Sequence, residues 1–276
     1  MQKPLIRPLR NMKEFRQCEE VQKQVWGTYA VAAEVLSVTQ KNGGAVLGAL
    51  VGGKVVGFLY AFLARRHGRF LHWSHMMAVL TGFRDRGLGF RMKLMHRKLA
   101  LTQGIKSIGW TYDPLQSRNA ALNLLRLGAE VEEYIPNYYG QFPSRIEKGL
   151  PSDRFVVNWR IGSKHVENRL FGNQSQPAWK PAPCINETGI DSRRFLTNGR
   201  IHLRLDAPRL LLEIPPDTDA IREGSPRLGL QWRLRTRQAF QRYLSAGYHV
   251  TGFYPGSLET GGRCYYLLSR RRITSE

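Results

Sequence analysis

The sequence predicts a layered α/β, or α+β, fold followed by a second, smaller α+β region. Three features carry that expectation: apolar β-compatible runs split by glycine-bearing turns, amphipathic segments set between later strands, and a strand, helix, strand, strand series near the end. Residues 12–26, MKEFRQCEEVQKQVW, place Phe15, Cys18, Val21, Val25 and Trp26 at helical spacing. AVLGALVGGKVVGFLYAFLA follows as two strands joined at Gly52-Gly53, a two-residue hairpin signal. RFLHWSHMMAV is a third strand after a turn at His67-Gly68. Residues 90–102 read as a helix ended by Gly104, IKSIGWTYD as a strand ended by Pro114, residues 118–127 as a second helix ended by Gly128, and EVEEYIPNYY as a strand and loop.

From about Gly162 to Gly199 the chain is rich in Asn, Ser, Pro and Gly and reads as a linker or long surface loop. Beyond it LRLDAPRLLLEIP is strand-like, and SPRLGLQWRLRTRQAFQRYLSAG is a helix with Ser225 at its cap and Pro226 in its first turn. YHVTGFYPG and RCYYLLSR are two further strands. The expected organisation is a domain over residues 1–160, a linker over 161–199 and a C-terminal region over 200–276. That last region is either a degenerate half-copy of the first fold or an unrelated α+β extension that offers a homodimer surface.

Composition narrows the function classes. Hydrophobic residues at 42% and charged residues at 23% suit a packed, soluble chain. The net charge of +21 is spread over both halves and attracts polyanions, whether nucleic acid, acidic membrane or a phosphorylated cofactor. Cys18, Cys184 and Cys264 form no CxxC pair, which argues against a disulfide framework. MQKPLIRPLRNMKEF lacks the apolar core of a signal peptide, and no apolar run approaches the roughly 18 residues of a membrane span. The expected setting is reducing and cytoplasmic, with no membrane partner.

The stretch RDRGLG, between a strand and a helix, has what a phosphate requires. Gly87 and Gly89 allow close backbone approach, the helix N-terminus points N–H groups outward, and Arg84 and Arg86 add charge. A capped surface turn is the alternative. Here the sequence resembles the GNAT superfamily of N-acetyltransferases, whose motif A is a strand, then Q/R-x-x-G-x-G/A, then a helix. Arg84, Asp85, Arg86, Gly87, Leu88 and Gly89 match it. A second motif, N-x-x-A-x-x-L-Y-x-x-x-G-F, is similar to NAALNLLRLGA, with Asn119 on the spacing and Gly128-Ala129 at the Gly-Phe. HWSHMMAV and WTYDPLQSRNA resemble a subgroup of which some members are associated with N-acylation of amino acids, succinylation included.

The resemblance covers about residues 4–160. It implies a mixed central sheet flanked by helices and an acyltransferase that takes acetyl-CoA or succinyl-CoA as co-substrate. It further implies that Arg84, Arg86, Gly87, Leu88, Gly89 and Phe90 hold the pyrophosphate, that the backbone of Met77, Ala78 and Val79 pairs with the pantetheine arm, and that Asn119 meets the cofactor edge. One departure stands out: the tyrosine that protonates the departing thiolate in many members falls at Leu125. Either another group does this work, with Tyr112, Tyr134, Tyr138 and Tyr139 as candidates and Tyr112 foremost, or the thiolate leaves without a dedicated acid.

N-acyl transfer needs a neutral amine, a polarised carbonyl and a route for the proton. A histidine suits as base because its pKa lies near working pH. His75 and His72 lie on the strand leading into the loop, close to where the resemblance puts the thioester. His75 is the candidate base and His72 a substrate contact, a packed histidine being the alternative for either. Their spacing on a strand sets them on opposite faces unless a bulge intervenes, so no metal site is expected.

Asp113 could accept from a substrate ammonium or form an Asx-turn. Arg118 could hold a carboxylate bidentately or be solvated, and Asn119 could instead cap its helix. Glu34 lies where the superfamily often shapes the acceptor site. The expected acceptor is a small amine, an amino acid in particular. A protein that binds acyl-CoA without catalysis and a nucleic-acid-binding protein are the competing readings; the latter has no zinc spacing, no aromatic RNA-binding strand and no compact basic run beyond SRRRIT.

Overall fold

A computed structural model describes residues 3–140, 150–172 and 178–270. Residues 173–177 of the expected linker, and Arg271 and Arg272 of the terminal basic run, lie outside the described residues. The chain divides into two compact units, the described part of the first being 3–110 and 158–162.

The first unit opens with β1 (Leu5–Pro8), α1 (Met12–Trp26) and α2 (Ala33–Lys41), followed by β2 (Ala45–Val51), β3 (Lys54–Arg66) and β4 (Arg69–Val79). A 3-10 turn (Thr81–Phe83), α3 (Leu88–Thr102) and the start of β5 (Ile108–Tyr112) complete it. β1 to β4 pair antiparallel in chain order and β5 joins β4 in parallel. Within this unit the mixed sheet runs β1-β2-β3-β4-β5, and β6 (Glu130–Ile135) and β7 (Arg154–Trp159) follow in the chain.

Local chemistry explains these elements. Gly52, Gly53, His67 and Gly68 all take positive φ, which a two-residue hairpin turn demands. Asn11 caps α1 by accepting from the Glu14 amide at 3.0 Å, and the Glu14 carboxylate reaches back to the Arg10 amide at 2.8 Å. β2 is an unbroken apolar run because both its faces are covered. On one face Phe15, Cys18, Val21 and Leu36 pack against Val46, Phe58 and Tyr60; on the other Leu88 and Met92 pack against Ala45, Leu47 and Leu59. Cys18, Cys184 and Cys264 are free thiols.

The second unit carries the end of β5, then α4 (Ser117–Ala120), which continues as a π-helical segment (Ala121–Arg126), and β6 and the start of β7. The helix expected over 118–127 is therefore not a regular α-helix: Leu127 donates to Leu122, five residues back. α5 (Lys164–Phe171), β8 (Asn186–Ile190) and β9 (Leu196–Ile201) occupy the stretch expected to be linker or loop. α5 begins at Ser163, whose hydroxyl accepts from the Val166 amide, and β8 and β9 form a two-stranded antiparallel sheet.

Next come β10 (Arg209–Ile214), α6 (Thr218–Gly224), α7 (Pro226–Ser245), β11 (His249–Tyr254) and β12 (Cys264–Ser269), with sheet order β10-β12-β11. Ser225 caps α7 as expected. α7 sends Arg233 into the interior to meet Asp113 through both guanidinium nitrogens, one arm at 2.8 Å. One turn on, Arg237 grips the buried Asp153 at 2.9 and 2.7 Å.

Arg233→Met leaves the Asp113 carboxylate buried without its cation. It should lower unfolding free energy by about 3–5 kcal/mol, read from denaturant midpoints. Arg227→Met, at an exposed position on the same helix, should stay within about 0.5 kcal/mol.

Candidate functional site

The site begins with a break in register. Along β3 and β4 the pairing passes from Tyr60↔Met76 to Ala61↔Ser74, so His75 sits on a bulge. A bulge bends its strand. β5 pairs with β4 at His72↔Ile108 and Trp73↔Gly109, and from Ser74 to Val79 no strand among the described residues lies on that side of β4.

The opened edge leads into the glycine turn. Asp85 and Gly87 are both left-handed, at φ 60° and 70°, and Gly87 is the residue before α3. Arg84 Nε donates to Val79 C=O at 3.0 Å, while Arg86 donates to Gly82 C=O at 3.0 Å and lies over the Phe83 ring. No side chain caps α3, and its first intrahelical bond is Arg91 N–H to Gly87 C=O. The amides of Leu88 and Gly89 precede that bond.

A Cβ on Gly87 would meet nothing within 4 Å, and one on Gly89 would make only ordinary contact with Met77. Protein packing does not require glycine at Gly89; the missing side chains leave backbone open to a ligand. Outward N–H groups, the helix dipole and two guanidinium groups suit a phosphate anion.

Other expected residues are placed as follows. His75 is exposed beside the rings of Tyr60 and Phe62, at 6.1 and 6.0 Å, and desolvation lowers its pKa. Glu34 is exposed in the first turn of α2. Arg118 and Asn119 are exposed on α4; Asn119 lies inside that helix, which corrects the reading of it as a cap. Leu125 is buried in the π-helical segment. Tyr134 donates to Asp153, and Tyr139 lies with its hydroxyl 3.3 Å from Thr111 Oγ1 and its ring edge-on to Tyr138.

Three expectations are corrected. His72 is fully buried with Nδ1 2.9 Å from His96 Nε2, so it is a packed histidine and not a substrate contact. Tyr112 is buried against Tyr266, hydroxyl to hydroxyl at 3.4 Å, and desolvation drives its pKa up. Asp113 forms the Asx-turn, accepting from the Leu115 amide at 2.9 Å, and spends its remaining capacity on Arg233. Burial alone would raise its pKa; the guanidinium reverses that and holds it low.

Sequence reasoning missed Lys93. It sits on the buried stripe of α3 with Leu88, Met92, His96 and Ala100, donates to Ser74 Oγ at 3.1 Å, and lies 3.5 Å from the centre of the Trp110 ring. No carboxylate among the described residues offsets its charge, and desolvation lowers its pKa to about 7. His96 is driven well below the ordinary histidine value by burial first and by Lys93 second. The signal in the sequence was a lysine and a histidine on an otherwise apolar helical stripe. Among the described residues no group of three or more His, Cys, Asp or Glu could hold a metal ion, and no helix is long and apolar enough to cross a membrane.

Residues 10–129 match the model of the family described as acetyltransferase (GNAT) family. No curated protein matches the chain. Solved structures similar to it include a ribosomal-protein-alanine N-acetyltransferase from Brucella melitensis, 19% identical, covering 56% of this chain and 98% of that one at TM-score 0.47. Another is the ribosomal-protein-S18-alanine N-acetyltransferase from Escherichia coli, 14% identical, with 58% and 94% covered at TM-score 0.46. A third is the NatC complex bound to Gag peptide and CoA, 13% identical, with 58% and 99% covered at TM-score 0.46.

The buried lysine makes stability depend on pH with a known sign. Its folded pKa of about 7 lies below the unfolded value of about 10.4, so between them the unfolded chain holds a proton that the folded chain lacks. Stability should therefore rise with pH across that window, by about 1.4 kcal/mol per unit. Lys93→Met should remove the rise in denaturation curves recorded from pH 7 to 9.

Proposed function

Residues 10–129 belong to the GNAT acetyltransferase family, and on that premise we propose that the protein moves an acyl group, acetyl or succinyl, from acyl-coenzyme A to the amine of a small molecule, an amino acid in particular. The observation that carries the reading is the uncapped N-terminus of α3, behind a left-handed Gly87, at the end of an unpaired strand edge. The α3 amides with Arg84 and Arg86 would hold the pyrophosphate. The backbone of Met77, Ala78 and Val79 would pair with the pantetheine arm, and the exposed Asn119 would meet the cofactor edge.

The acceptor amine must be neutral to attack and must then lose a proton. We assign that step to His75, which is exposed on the bulge and whose lowered pKa favours the neutral, proton-accepting form. Glu34 and Arg118, both exposed, are the charged groups we assign to the ammonium and the carboxylate of an amino-acid acceptor.

A second reading has its own support. Leu125 stands at the usual tyrosine position, and both Tyr112 and Tyr134 are engaged within the fold. A protein that binds acyl-CoA without transferring it would tolerate all three.

A thiol-release assay with acetyl-CoA and succinyl-CoA against pooled amines and amino acids separates the two. Acceptor-dependent release, abolished in Gly87→Glu because the new carboxylate repels the pyrophosphate, is the expected result. Thermal stabilisation by coenzyme A without release from any pool would favour the binding protein instead.

A further inference from the structure

We infer that Ser74, backed by Lys93, delivers the proton to the departing coenzyme A thiolate, the task that falls to a tyrosine elsewhere. The inference rests on the acyl-transfer reading above.

Ser74 is the first residue of β4 beyond the last β5 pair, so its backbone stands where the strand edge opens, while its side chain is buried on the α3 side. Its neighbour His75 turns toward Tyr60 and Phe62, whereas Ser74 turns toward α3 and takes a hydrogen bond from Lys93 Nζ at 3.1 Å. Acceptor and thiolate can thus be served from opposite faces of one strand.

Among the described residues no carboxylate is paired with the amine behind Ser74. A buried lysine is ordinarily matched by a carboxylate. Lys93 faces Ser74 from β4 and the Trp110 ring from β5, and on its own helix it acts on His96, whose ring meets His72; none of these carries a negative charge. Both histidines have pKa values lowered by burial, so they stay neutral and leave Lys93 as the one group in the cluster that gains and loses a proton near pH 7.

The direction of the observed hydrogen bond suits an acid. The Nζ–H donates to Ser74 Oγ, which frees the serine O–H to donate to sulfur. As the tetrahedral adduct collapses, the C–S bond breaks and its electron pair goes to sulfur. Sulfur takes the serine proton, and the serine oxygen takes one from Lys93, which becomes neutral. The acceptor amine has meanwhile given a proton to His75. Solvent returns one proton to Lys93 and removes one from His75, so the net products are the amide and free thiol.

The test measures kcat for thiol release from acetyl-CoA against pH, using the acceptor pool that supports the wild type, in Lys93→Met, Ser74→Ala and Ser74→Thr. Binding of acetyl-CoA is measured beside it by calorimetry. Wild-type kcat should fall as pH rises through about 7. Lys93→Met and Ser74→Ala should lose that limb and about a hundred-fold in kcat with KM for acetyl-CoA unchanged, and Ser74→Thr, which keeps the hydroxyl, should recover most of the rate. Variants with wild-type kcat and an intact limb overturn the inference alone. Should Lys93→Met fail to fold, the serine pair still decides. A wild type that does not bind acetyl-CoA, or binds without turnover, overturns the parent reading and this one with it.

Discussion

Once β4 bulges at His75, its backbone cannot keep step with β5 beyond Trp73. That single loss of register shapes much of the first unit. A backbone amide deprived of a partner costs on the order of 1–3 kcal/mol when water is excluded, so the edge from Ser74 to Val79 persists because solvent or a ligand can reach it. The same bulge sets His75 on an exposed face and Ser74 on the α3 face, and the open edge runs straight into the turn where Gly87 takes a left-handed conformation that only glycine adopts without strain.

The protein buries cations in two ways. In the second unit Arg233 and Arg237, one helical turn apart, each grip a carboxylate with two nitrogens. Such pairs roughly balance desolvation against attraction, and they specify how α7 seats. In the first unit Lys93 has only a hydroxyl and an aromatic face. A cation–π contact contributes about 2 kcal/mol when desolvated, too little to keep an ammonium charged throughout the neutral range. The first arrangement fixes structure; the second leaves a group free to change its charge.

Much of the fold was legible because local signals are strong where elements are long. The apolar stripe of α1, the glycine turns at 52–53 and 67–68, and the Ser225-Pro226 start of α7 each carry their own stereochemical reason. β1, α2, β7, α5, β8, β9 and α6 were not read, being short; the edge strand β1 ends on a proline and α2 starts without a side-chain cap. In the site, the phosphate turn was visible as a string because its geometry is local. The partnership of Asp113 with Arg233 was not, since 120 residues separate them. Nor was the pairing of His72 with His96, which depends on how α3 lies across β4.

The π-helical winding from Ala121 to Arg126 bears on how a motif is compared with a chain. An even α-helix turns about 100° per residue, and a turn that takes an extra residue sets everything after it back by about that angle. Letters and bearings therefore part company after Ala120. By the end of the segment Arg126 takes the direction that an even screw would assign to Leu125. Which side chain faces a given way beyond Ala120 is thus set by how the chain is wound as much as by the order of its residues.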